Sequence, residues 1–82
     1  MNSLVGVLGG ASTSDNHLDN NQAINNGGPG IILATGATNY RVNGNTALGN
    51  VFSDLFDGNA NCDDNQWNGN TFVTANQPSC IL

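Results

Sequence analysis

The stretch Val42–Asn50, VNGNTALGN, decides the fold, because it recurs on both sides of itself. Leu18–Asn26 reads LDNNQAINN and Trp67–Ala75 reads WNGNTFVTA, at offsets of 24 and 25 residues. Each copy opens on an apolar residue (Leu18, Val42, Trp67) and carries a turn-forming residue two positions on (Asn20, Gly44, Gly69). An asparagine follows in all three (Asn21, Asn45, Asn70), and then an apolar pair: Ala23–Ile24, Ala47–Leu48, Phe72–Val73. A further apolar stretch precedes each copy, at Val5–Leu8, Ile31–Leu33 and Phe52–Phe56.

Asn and Gly interrupt every candidate helix in these segments, so the 3.6-residue periodicity of helical repeats is missing. Leucine-rich repeats share the period but need several leucines per repeat, which this chain lacks. A period of 24–25 with short apolar runs and Asn/Gly corners instead predicts an all-β solenoid of about three coils, each with two or three strands. The expected coils are roughly 5–28, 29–53 and 54–80 of a single domain, 1–82. Equivalent residues then stack about 4.8 Å apart. That stacking gives a reason for the Asn21/Asn45/Asn70 column, since superposed amides form a ladder parallel to the backbone ladder. Leu18/Val42/Trp67 and Ala23/Ala47/Phe72 are the expected interior columns, with Trp67 and Phe72 closing the C-terminal end.

The strings Gly30–Asn50 (GIILATGATNYRVNGNTALGN) and Phe52–Phe72 (FSDLFDGNANCDDNQWNGNTF) resemble right-handed parallel β-helix proteins of the pectate-lyase-like superfamily. They are most similar to the last coils of long members, and Asn65–Cys80 (NQWNGNTFVTANQPSC) looks like their closing segment. The resemblance runs from about Gly6 onward and implies a short right-handed parallel β-helix. It implies little about activity, because one fold hosts many functions. Polysaccharide-active members use a long groove with clustered Asp for Ca²⁺ and a basic residue, or several Asp for hydrolysis. Three coils make too short a groove, and Arg41 is the only strong cation in this chain. No catalytic position carries over, and the chain reads as a non-enzyme with no cofactor.

The composition narrows the partners. The formal net charge is −5, with one Lys or Arg in 82 residues, which argues against nucleic acid and against an anionic membrane surface. No apolar run approaches the ~20 residues of a membrane-spanning helix. The opening residues lack a basic flank and are read as structure, not as a secretion signal. A domain of this size buries only roughly 60–65% of its unfolded surface and needs a staple or a partner.

Cys62 and Cys80, the only two cysteines, are the expected staple. A disulfide pinning the tail across the last coil is favoured over free thiols or a zinc pair, which would lack a nearby His. It places the protein in an extracellular or cell-surface setting. Asp57, Asn59, Asn61 and Asp63 could offer oxygens to Ca²⁺, but no Ca²⁺-loop glycine or bidentate Glu accompanies them. Turn-forming Asp and Asn beside solvent are the simpler reading, and Asp54 is expected to cap a strand or meet the tail. His17 with Asp15, Asp19 and Ser12–Ser14 lacks the nucleophile elbow and oxyanion hole of a triad. Gly27–Gly30 is a corner turn.

The Leu4–Leu8 strand (Leu4, Val5, Val7, Leu8) has no evident cap, whereas the C-terminal end has several. The leading expectation is a structural module that pairs through this N-terminal edge, as a homodimer in preference to a fibre. The alternatives are a polysaccharide-binding module, with Tyr40 and Trp67 as stacking platforms, and a non-catalytic piece of a larger carbohydrate-active β-helix protein.

Overall fold

In the computed structural model, residues 7–82 are described. Nine short strands account for the regular structure: β1 Val7–Gly9, β2 His17–Asp19, β3 Gln22–Ile24, β4 Ile31–Leu33, β5 Arg41–Asn43, β6 Thr46–Leu48, β7 Leu55–Asp57, β8 Gln66–Asn68 and β9 Thr71–Phe72. One 3₁₀ turn, Ala60–Cys62, interrupts the series. The strands form three separate three-stranded sheets, ordered β1-β4-β7, β2-β5-β8 and β3-β6-β9. Every pairing is parallel. Each repeat therefore gives one strand to each sheet, and the chain is all-β.

The register carries the sequence period into space. Leu18 pairs with Val42 and Val42 with Trp67, while Ala23 pairs with Ala47 and Ala47 with Phe72. Ile31 pairs with Leu55 after 24 residues, yet Arg41 pairs with Gln66 after 25. The extra residue thus lies between β7 and β8, in the segment that holds the 3₁₀ turn. There Asn61, Cys62 and Asp63 take positive φ in succession (53°, 60° and 47°), which lets eight residues span what seven span in the preceding repeat.

Side chains alternate in and out along each strand. Ile31, Leu33, Val42, Ala47, Leu55 and Trp67 turn inward and form the core with Tyr40, Cys62 and Ile81. Corners between the second and third sheets need left-handed backbone, supplied by Asn20 (φ 57°), Gly44 (67°) and Gly69 (64°), a single column of the repeat. Gly9 has another role. A methyl there would run into Leu33 and the Tyr40 ring, so the absent side chain makes room for tyrosine inside the core.

Three expectations change. The third apolar run starts later than Phe52: β7 begins at Leu55, and Phe52 is 66% exposed on the corner before it. The edge strand Val7–Gly9 is two-sided, with Val7 half-buried and Leu8 outside; Leu4 and Val5 lie outside the described residues. Asp54 and Asp57, the latter expected beside solvent, are both buried.

Candidate functional site

Parallel stacking gives the asparagine columns a direction. Asn21 donates its backbone N–H (2.7 Å) and Nδ2–H (3.1 Å) to Oδ1 of Asn45. Asn45 makes the same pair of bonds to Oδ1 of Asn70, at 2.9 and 3.1 Å. The second Nδ2 hydrogen of each lower rung returns to a carbonyl of the repeat before, Asn45 to Leu18 (2.7 Å) and Asn70 to Val42 (2.8 Å). At each rung the backbone N–H and one Nδ2–H therefore face the C-terminal end of the stack, and the Oδ1 faces the other way.

A ladder of that polarity must finish on an acceptor, because orphaned buried donors are costly. Asn70 finishes on the Leu82 carbonyl oxygen, with Nδ2 at 2.8 Å. A second column, Asn26 to Asn50, finishes on Asp54, whose Oδ1 takes the Asn50 N–H (3.1 Å) and Nδ2–H (3.0 Å). The other oxygen of Asp54 accepts from the backbone of Val73 (3.0 Å) and Thr74 (3.2 Å), tying the tail to the stack. Burial pushes the Asp54 carboxyl up, but these hydrogen bonds from Asn50, Val73 and Thr74 outweigh it and hold the group below its ordinary value.

Asp57 closes the remaining corner. Its Oδ1 accepts from Asn59 N–H (2.9 Å) and Nδ2–H (2.8 Å), and its Oδ2 from Asn65 Nδ2 (3.3 Å) and Trp67 Nε1 (2.9 Å). Asp54 meets the tail, one of the two places the sequence suggested for it, but the role of both carboxylates as ladder ends was not expected. The available signal was the apolar pair that they bracket, Asp54-Leu55-Phe56-Asp57. The tail completes the closed end: Cys62 and Cys80 form a disulfide (Cα–Cα 6.2 Å), Ala75 bridges to Leu55, and Ile81 is buried.

The opposite end differs. Parallel ladders use alternate residues. The bonds Val7 N–H to Gly30, Ala34 N–H to Gly9, Arg41 N–H to Asn16 and Asn25 N–H to Leu48 turn the N–H and C=O of Leu8, His17, Asp19, Gln22 and Ile24 away from the second repeat. Val7 and Leu18 face inward but are only half-buried, whereas Ile31 and Val42 beneath them are fully buried. Apolar surface and open ladder groups therefore coincide at this edge, among the described residues.

The outer surface is uneven. On the first sheet Leu8, Ile32 and Phe56 stand in register, and Leu8 is 60% exposed. The Phe52 ring lies 6.1 Å from that of Phe56 and widens this apolar stripe. On the second sheet the outward residues are polar: His17, Arg41 and Gln66 in one column, Asp19, Asn43 and Asn68 in the next. Tyr40 and Trp67 are not available as sugar-stacking platforms, since 4% and 2% of their surfaces are exposed. The Tyr40 hydroxyl sits 2.6 Å from Thr13 Oγ1, which satisfies it inside the fold. His17 Nδ1 lies 3.7 Å from Asp19 Oδ2 on the surface, and Asp15 instead accepts from Asn39.

Among the described residues no three His, Cys, Asp or Glu side chains gather to hold a metal, no pocket opens, and no helix is long and apolar enough to cross a membrane. Compared with known proteins, the chain matches no family model, no curated protein and no solved structure.

Proposed function

We propose that the three sheets are the faces of a short right-handed parallel β-helix of the pectate-lyase-like kind. In this reading the chain is a non-catalytic structural module of an extracellular or cell-surface protein, and it pairs with a second copy of itself through the edge β1–β2–β3. The observation that carries the proposal is the asymmetry of the two ends. One is closed by Asp54, Asp57, the Cys62–Cys80 disulfide and Ile81. The other, among the described residues, leaves Val7 and Leu18 half-covered beside open ladder groups. An edge of that kind recruits strands, and a single open end gives a closed dimer in preference to a fibre. The disulfide supports the extracellular setting.

The direction of the asparagine ladder favours a second occupant of the same edge. Asn21 Oδ1 is positioned to accept from a rung before it, and a parallel Asn-bearing repeat of a larger β-helix protein would bring that donor.

Light scattering across a dilution series separates the two. A dimer that persists on dilution supports self-pairing. A folded monomer at all concentrations overturns it and leaves the parallel-repeat reading in place.

A further inference from the structure

We infer that Asn68 is a site of spontaneous backbone modification, succinimide formation followed by conversion to aspartate and isoaspartate, and that the fold protects the other two asparagines that precede glycine, Asn43 and Asn26. Asn-Gly pairs occur at Asn26–Gly27, Asn43–Gly44 and Asn68–Gly69. The reaction needs the backbone nitrogen after the asparagine to attack the side-chain carbonyl carbon, Cγ. Glycine at that position offers no side chain to obstruct the approach, so sequence alone makes the three pairs alike. The structure separates them.

Asn43 lies in the middle strand of the second sheet. The Gly44 N–H donates to the Asn68 carbonyl (3.1 Å), and the Asn43 carbonyl accepts from Asn20 N–H (3.2 Å). The attacking nitrogen is thus held in a ladder bond, and closing the ring breaks the pairing on both sides of β5. Asn26 is buried, and its N–H and Nδ2–H both donate to Asn50 Oδ1, at 3.0 and 2.9 Å. Asn68 ends β8, the outer strand of the same sheet. Asn68 and Gly69 are both exposed, Gly69 N–H has no backbone acceptor among the described residues, and the Asn68 carbonyl accepts from Gly44.

At Asn68 the Gly69 nitrogen loses its proton to hydroxide and forms a bond to Cγ. The Cγ–Nδ2 bond breaks, and Nδ2 leaves as ammonia with a proton from water. Water then opens the five-membered imide at either carbonyl. Opening at the main-chain carbonyl carbon yields isoaspartate, with an additional methylene in the backbone. Opening at the other yields aspartate. Either product adds a negative charge to the Asp19–Asn43–Asn68 column. Isoaspartate also displaces the carbonyl that holds Gly44, so the third repeat loosens from the second.

The test incubates the full chain in mildly alkaline buffer and follows deamidation site by site with peptide mass spectrometry, beside the same protein unfolded in denaturant with its disulfide reduced. In the folded protein Asn68 is expected to convert about tenfold faster than Asn43, the factor that one additional backbone hydrogen bond supplies. In denaturant the three sites should convert at similar rates. Asn68→Gln, which cannot close the five-membered ring, should abolish the early mass change of the folded protein. Equal folded-state rates at Asn43 and Asn68, earlier conversion at Asn43 or Asn26, or an early change that survives in Asn68→Gln would each overturn the inference. So would a folded protein in which no site converts while the unfolded one does.

Discussion

Trp67 Nε1 donates to Asp57 Oδ2 at 2.9 Å with both side chains buried, which makes one carboxylate the meeting point of the core and two polar corners. Trp67 could not be buried there without an acceptor for its indole N–H. Asp57 could not be buried without donors, and Asn59 and Asn65 supply the rest. The aspartate is therefore a structural group with every oxygen engaged.

Replacing Asp57 by Ala strands the Trp67 and Asn65 donors and both Asn59 donors. The expected loss is about 3 kcal/mol or more, in the range seen when one partner of a buried charged network is removed. Asp57→Asn should lose less, because one amide oxygen can still accept while the NH₂ meets a donor. Urea unfolding followed by Trp67 fluorescence gives both values. If Asp57→Ala kept the wild-type midpoint, the network would be incidental to stability.

The Asp54 carboxyl sits below its ordinary value in the folded chain, so folding favours its charged form. The stabilisation is complete above the unfolded-state value, about 4. It fades as pH falls through the lower folded-state value. Acid should therefore loosen the Val73–Thr74 attachment, and the unfolding midpoint of wild type should fall more steeply below about pH 4 than that of Asp54→Asn. Parallel slopes for the two proteins would contradict this assignment.

These two aspartates also mark where reading the sequence stopped. The 24–25 period was legible because parallel stacking repeats the same chemistry at each level, and Leu18, Val42 and Trp67 do lie in paired strands. Ladder ends have no period. Asp54 and Asp57 each occur once, and their surroundings come from the corners and tail folding over them. Burial of Tyr40 is hidden from the sequence for a related reason: its place inside depends on the missing side chain of Gly9, 31 positions earlier. The alternation of β1 was legible in principle, since Val7 and Leu8 must face opposite ways in any strand.

Reduction of Cys62–Cys80 frees the tail that carries Ile81 and the Ala75 bridge. Closing a loop of this size contributes about 3 kcal/mol in the chain-entropy model. The Cys62→Ala/Cys80→Ala pair should accordingly lower the unfolding midpoint by an amount that reductant reproduces in wild type. The double variant should in turn be indifferent to reductant. A wild-type protein whose melting does not respond to complete reduction would show that Asp54 and Asp57 hold the tail unaided.

Leu8 offers the sharpest test of edge pairing. Its N–H points away from β4, so proline there removes a donor from the open edge and leaves the bonds of Val7 and Gly9 to the second repeat intact. The preceding residue, Val7, is already in a strand, as the residue before proline prefers. Leu8→Pro should therefore dissociate a β1-paired dimer at concentrations where wild type stays paired. Its unfolding free energy as a monomer should change by only about 1 kcal/mol. Leu8→Lys, which keeps the N–H but adds a charge to the outer stripe, separates the two surfaces. If Leu8→Lys dissociates the dimer and Leu8→Pro does not, copies associate through Leu8, Ile32 and Phe56 on the face of the first sheet, and the edge is not the contact.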